Sequence, residues 1–124
     1  MSELLHDPLT GLPTPFYFYE SAKRVRSWAD RKGQPLSLIS IQPPEIADDP
    51  FAKFARSLIE ELRGGDLICR MGERNLVLLL LGDLAAAGHL IFRLENRIKP
   101  KSKYEATELA MGESLVAALD RLGI

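Results

Sequence analysis

The chain has 124 residues, of which 46% are hydrophobic and 27% are charged, a balance typical of one soluble globular domain. Its 16 basic and 17 acidic residues nearly cancel, so no general attraction to nucleic acid or to an anionic membrane is expected. The one cysteine, Cys69, excludes an internal disulfide, and its place in an apolar segment predicts a buried, unreactive thiol.

The sequence shows no sign of a membrane segment or a targeting signal. Its longest apolar run, Leu76–Leu81, is far too short to cross a bilayer. The first residues have neither the basic flank nor the apolar core of a signal peptide. We therefore expect a cytoplasmic protein with a single domain over residues 1–124.

The first half of the chain predicts a helix, a strand and a second helix. Thr14 is a good N-cap for a helix over residues 15–31, where apolar side chains recur at helical spacing. The apolar run over residues 36–41 predicts a central strand that is covered on both faces. Asp49, as a cap followed by Pro50 at the first helical position, predicts the start of the next helix.

The second half predicts a hairpin, a helix, a strand and a short last helix. Residues 67–70 and 76–81 favour two antiparallel strands joined by a tight turn. Asp83 is the predicted cap of a third helix, with an apolar seam that runs from Leu84 to Ile98. A weakly patterned strand over 104–111 and an amphipathic helix over 114–122 follow. We therefore predict an α+β fold in two layers, with helices packed on a mostly antiparallel sheet.

Two strings in the sequence resemble the GGDEF domain of the diguanylate cyclase family. Residues 7–12 are similar to the D-x-L-T-G-L opening of that domain. The family's R-x-x-D, followed after three residues by R-x-G, is also kept. Its matching positions are Arg63, Asp66, Arg70 and Gly72. The resemblance covers residues 7–98 and implies a palm-like βαββαβ nucleotidyl-cyclase core with an extra N-terminal helix.

The residues that carry the family's chemistry differ in this chain. In the family, an aspartate at the end of the first strand and an acidic pair in the hairpin turn hold magnesium. The degenerate positions here are Gln42 and, after Gly72, the residues Glu73, Arg74 and Asn75. An amide is a poor ligand for a hard cation, and Arg74 places a positive charge where a metal ligand is needed. The loop that shapes the family's guanine pocket is also shortened. We therefore expect no magnesium, no other cofactor and no catalysis.

The retained R-x-x-D resembles the inhibitory product site of GGDEF domains, which binds cyclic di-GMP. The resemblance implies binding through Arg63 and Asp66, joined by Arg93 or, as a fallback, Arg97 from the following helix. Arginine can donate to guanine or phosphate, and a carboxylate can accept from the guanine edge. The alternative is structural, since a cation is favourable at a helix C-terminus and Asp66 can cap the Gly64-Gly65 turn.

The kept core and the missing acids favour a catalytically inactive GGDEF-like domain. We expect it to act as a protein-interaction or dimerisation module in bacterial cyclic di-GMP signalling, with a protein partner or a second copy. The alternatives are a cyclic di-GMP receptor, a working diguanylate cyclase and an unrelated small α/β domain. His6 and His89 lack metal-ligand spacing, and no phosphate-binding loop or nucleic-acid pattern is present.

Overall fold

A computed structural model of the protein describes residues 5–124, which form four helices and a four-stranded sheet. In chain order the elements are α1 (Pro15–Lys32), β1 (Leu36–Gln42), α2 (Asp48–Glu60), β2 (Leu67–Arg70), β3 (Leu76–Leu81), α3 (Leu84–Arg97), β4 (Lys103–Glu108) and α4 (Leu115–Arg121). The predicted order of helices and strands is confirmed. Residues 1–4, part of the segment expected to lack a targeting signal, lie outside the described residues. None of the helices within 5–124 is long and apolar enough to cross a membrane.

The sheet has the order β2-β3-β1-β4, and every neighbouring pair is antiparallel. This is the arrangement of a βαββαβ core, in which β1-α2-β2 and β3-α3-β4 interleave. The central pair runs from Leu36 opposite Leu81 to Ile41 opposite Leu76. The C-terminal end of β1 and the turn between β2 and β3 therefore lie at the same end of the sheet.

Alternate residues of β1 are buried on opposite faces of the sheet. Ile39 and Ile41 belong to a core with α2 and α3, whereas Leu36 and Leu38 belong to a core with α1 and α4. The expected cover on both faces of β1 is thus confirmed. The βαββαβ core has the two expected layers, and α1 with α4 adds a third layer on the other face.

The helix ends follow local sequence signals at most positions. The Thr14 hydroxyl accepts from the Tyr17 backbone N–H, and the Asp83 carboxylate accepts from that of Ala86. The prediction that Asp49 caps α2 is wrong. Ala47 is the N-cap and makes no side-chain hydrogen bond, while Asp48 and Asp49 both lie in the first turn. Carboxylates are favourable there because the helix N-terminus carries partial positive charge.

Leu84, the first residue of the predicted apolar seam of α3, is 50% exposed, and Val116 of α4 is 58% exposed. Both lie in the first turn of their helix, where side chains lean back toward the N-terminus and extend past the helix end. The buried seam of α3 begins instead at Ala87, and the buried residues of α4 are Ala118 and Leu119.

Gly88 offers a test of helix propensity on the outer side of α3. A Cβ added there would meet no atom within 4 Å, so Gly88→Ala should raise the free energy of unfolding by about 1 kcal/mol. Urea denaturation at low protein concentration measures this. The matched control is Gly33→Ala, because Gly33 ends α1 with φ of 65°. That substitution should lower stability by about 1 kcal/mol. Equal changes in the free energy of unfolding would contradict an exposed helical position for Gly88 and a left-handed cap at Gly33.

Candidate functional site

The turn between β2 and β3 (residues 71–75) lies beside the end of β1. Met71 and Gly72 both donate backbone N–H groups to the Asn75 carbonyl, at 2.9 and 3.2 Å. Ile41 pairs with Leu76, so Gln42, just after Ile41, and Asn75, just before Leu76, lie at the same end of the sheet. The two residues line one cavity of about 260 Å³. Ser40, Lys103 and Glu105 also line that cavity. The structure therefore brings Gln42 and Asn75 together as two uncharged amides.

Arg74 connects this turn to the loop between β1 and α2. Its Nε donates to the Ile46 carbonyl at 3.0 Å, and its Nη2 lies 2.6 Å from the Asp48 carboxylate. The guanidinium carbon also lies 4.7 Å from the centre of the Phe51 ring, within cation–π range. The side chain is only 20% exposed, so the Arg74 guanidinium fills the space between the turn and the loop.

Arg70 holds the same turn to the N-terminal loop. Its Nη1 donates to both oxygens of the Asp7 carboxylate at 3.0 and 3.2 Å, and its Nε and Nη2 donate to the Glu73 carbonyl. Burial raises the pKa of Asp7, but hydrogen bonds from Thr10 and the Arg70 guanidinium outweigh it and hold that pKa below its ordinary value. Asp7 is therefore ionised at neutral pH and paired with Arg70.

Within residues 5–124, the acidic side chains near the turn do not come together as a set of metal ligands. Glu73 is exposed, and it is its backbone carbonyl that accepts hydrogen bonds from Arg70 and Arg74. Across residues 5–124, no group of three or more His, Cys, Asp or Glu side chains is placed to hold a metal ion. The charged groups that do converge on the Phe51 ring are the two guanidinium groups of Arg70 and Arg74.

The three residues of the predicted ligand site line a second cavity, of about 280 Å³, together with His89 and Leu90. Arg63 is exposed. The Asp66 carboxylate accepts from the backbone N–H of Leu81 at 3.1 Å and from that of Arg63 at 3.2 Å. Arg63, Asp66 and Arg93 are thus neighbours, and the structural role of Asp66 as a cap of the turn is also present.

Sequence reasoning missed the partner of Arg93. Its Nε lies 3.1 Å from the Glu61 carboxylate, and its Nη2 donates to the Glu61 carbonyl at 3.0 Å. The fallback residue Arg97 also contacts Glu61, at 3.3 Å. No periodic signal in the sequence relates the end of α2 to a residue within α3, so only the tertiary structure reveals this contact.

A third concavity, of about 280 Å³, lies between α1 and α4 on the opposite side of the sheet. Its floor and walls are mainly apolar and include Ala22, Leu36, Leu79, Leu109 and Val116. None of the sequence-predicted site residues lines it. It therefore offers no chemistry that bears on the turn or on the R-x-x-D segment.

Comparisons with known proteins identify the fold. No protein-family model matches the chain, and no curated protein matches it. Among solved structures, the chain is similar to diguanylate cyclase SiaD in complex with its activator SiaC, from Pseudomonas aeruginosa. The identity is 24% and the TM-score 0.84, over 97% of this chain and 55% of the SiaD chain. The chain thus spans about half the length of the SiaD chain.

Two further structures, both from Caulobacter crescentus, agree. A sensory box/GGDEF family protein is 20% identical with a TM-score of 0.77, over 94% of this chain and 91% of that one. The GGDEF domain of DgcB, in complex with c-di-GMP, is 14% identical with a TM-score of 0.77, over 94% and 84%. The protein therefore has the fold of a GGDEF domain, and the predicted fold class is confirmed.

Removal of the Arg74 side chain tests its bridging role. Arg74→Ala should lower the free energy of unfolding by about 1–2 kcal/mol, because hydrogen bonds to Ile46 and Asp48 and the contact with Phe51 are lost together. Urea denaturation measures the change. Arg56→Ala, at an exposed arginine of α2, is the control and should stay within about 0.5 kcal/mol of the wild type. Indistinguishable losses at the two positions would show that Arg74 does not bridge.

Proposed function

We propose that the protein is a catalytically inactive GGDEF-like domain that acts by binding another protein or a second copy of itself in cyclic di-GMP signalling. The observation that carries the proposal is the Arg74 guanidinium, which spans the gap between the β2–β3 turn and the loop after β1. In the cyclase family this region holds the metal ions.

Electrostatics supports the absence of catalysis. Cyclase chemistry uses two metal ions to activate the attacking hydroxyl and to neutralise the triphosphate. Magnesium is held chiefly by carboxylate oxygens, whereas Gln42 and Asn75 offer amides at the edge where the family has acids. Arg74, where the family has an acid, offers a guanidinium already paired with Asp48, so this position supplies no oxygen ligand. Both effects disfavour the metal-bound state.

Two observations support an interaction role. The domain has a buried core on each face of its sheet. Replacement of the metal-binding acids alone would leave such a core intact. One structure with this fold is of a cyclase in complex with its activator protein. A GGDEF-type fold without metal-binding acids therefore fits a protein that is recognised rather than one that turns over substrate.

Incubation with GTP and magnesium tests the proposal. We expect no cyclic di-GMP by chromatography, and no heat from magnesium in a calorimetric titration. The matched variant carries Gln42→Asp, Glu73→Gly, Arg74→Asp and Asn75→Glu, which restore the family's acids. Once circular dichroism shows that this variant is folded, it should bind magnesium. Formation of cyclic di-GMP by the wild-type protein would refute the proposal.

A second candidate function, that of a cyclic di-GMP receptor, is favoured by the shared cavity of Arg63, Asp66 and Arg93. Arg63 is exposed and available to a ligand. Arg93 would have to exchange its contact with Glu61 for one with the dinucleotide. The Glu61 carboxylate would keep its contact with Arg97 at 3.3 Å, so it would not be left unpaired.

Calorimetric titration with cyclic di-GMP tests this receptor function. Binding by the wild type should be weakened about tenfold or more in Arg63→Ala, because one arginine–guanine contact is worth about 1–3 kcal/mol. Arg31→Ala, at an exposed arginine of α1, is the control and should bind like the wild type. A wild-type titration without heat, or an undiminished affinity in Arg63→Ala, would exclude the receptor function.

A further inference from the structure

The concavity between α1 and α4 has apolar walls that come from both strands of the central pair and from both helices. Leu36 of β1 and Leu79 of β3 are buried and line it from the side of the sheet. Ala22 of α1 and Leu115 and Val116 of α4 line it from the side of the helices. Val116 is 58% exposed, so part of this apolar wall is open to a molecule from solution.

A small side chain on α1 makes room for the concavity. Tyr19, Ala22 and Arg26 lie about one turn apart on one side of α1, and all three line the cavity. The methyl group of Ala22 reaches less far than its two long neighbours. Arg26 is held in place, because its Nη2 donates to the Ala110 carbonyl at 2.9 Å. The opening therefore follows from how α1 packs on the sheet and on the segment after β4.

Each charged side chain that lines the cavity has an oppositely charged partner within the chain. The pairs are Lys23 with Glu20 and Arg26 with Asp30, both at 3.5 Å, and Glu113 with Arg121. An ionic ligand would lose hydration on entering the apolar cavity and would meet no uncompensated charge there. The chemistry of the lining therefore favours an uncharged ligand.

The size of the cavity favours a small molecule over a segment of protein. One turn of an α-helix with its side chains is about 10 Å across and about 5.4 Å long, which corresponds to about 400 Å³. The cavity has a volume of about 280 Å³, less than that single turn needs. Apolar cavities of this order take up small apolar molecules such as benzene, whereas water gains too few hydrogen bonds in them.

We propose that this cavity binds an uncharged, mainly hydrocarbon molecule of about eight to ten carbon atoms. A methylene group takes roughly the volume of one water in the liquid, about 30 Å³, which sets this upper size. Leu36 is the first residue of β1 and Gln42 the last, so the site lies toward the other end of the sheet from the β2–β3 turn. The inference goes beyond the proposed function and does not depend on whether the domain is catalytic.

A series of straight-chain alcohols tests the site. Butan-1-ol, hexan-1-ol and octan-1-ol are titrated into the protein, and binding is followed by the NMR shifts of the backbone amides. The affinity should rise about fourfold for each added methylene, because each one buries further apolar surface. The largest shifts should belong to Ala22, Leu36, Leu79 and Val116. Octanoate and octylammonium should bind about tenfold or more weakly than octan-1-ol.

Three results of that series would overturn the proposal. The first is an absence of shifts at the residues that line the cavity. The second is an affinity that does not change with chain length. The third is octanoate or octylammonium binding as tightly as octan-1-ol.

Two variants and a control place the binding in this cavity. Ala22→Leu fills part of the space and should weaken octan-1-ol binding about tenfold or more. Ala22 is buried, so circular dichroism first checks that this variant is folded. Val116→Asp changes an exposed position, so the fold is kept, and its charge in the apolar wall should weaken binding by a similar factor. Ile59→Asp is the matched control, because Ile59 is 44% exposed but lies on α2, outside the cavity.

Ile59→Asp should bind octan-1-ol like the wild type. An undiminished affinity in Val116→Asp or in folded Ala22→Leu would overturn the proposal, and so would an equal loss in Ile59→Asp. If Ala22→Leu does not fold, Val116→Asp and its control decide the question.

Discussion

The pairing of β1 with β3, two strands with apolar side chains on both faces, is the constraint on which this domain depends. A strand with only one apolar face would need a single layer of helices. Here both faces must be covered, and this places α2 and α3 on one side and α1 and α4 on the other. The same pairing sets Gln42 beside Asn75, so the sheet that builds the core also brings these two amide side chains to one cavity.

At the same end of the sheet, two guanidinium groups join three segments of the domain. Arg70 and Arg74 both lie within 5.2 Å of the centre of the Phe51 ring, and between them they bind the N-terminal loop, the turn and the loop before α2. A divalent cation could join such segments only through acidic ligands, and its occupancy would depend on its concentration in solution. The two arginine side chains are part of the chain itself, so this junction needs no bound ion.

The sequence predicted those features whose causes are local. Thr14 and Asp83 cap their helices because each reaches an N–H three residues ahead, and apolar runs formed strands at the expected places. Asp49 is not the cap because the helix begins one residue earlier, at Asp48, whose contact with Arg74 lies 26 positions away in sequence. The 63-residue separation of Asp7 from Arg70 and the contact of Glu61 with Arg93 likewise leave no periodic trace. Short sequence motifs therefore identified the fold and the candidate residues. Which charged residues pair could be identified only from the tertiary structure.

Cys69 has a practical consequence for following the motions of this domain. It lies in β2, an outer strand of the sheet, and is fully buried among residues of α1 and β3. Burial raises the pKa of the thiol to about 12, so almost no thiolate exists at neutral pH even when a reagent is present. Alkylation therefore requires a local opening in which β2 separates from the residues of α1 and β3 that bury Cys69. With one sulfhydryl in 124 residues, the labelling rate acts as a clock for the opening of a single, known part of the protein.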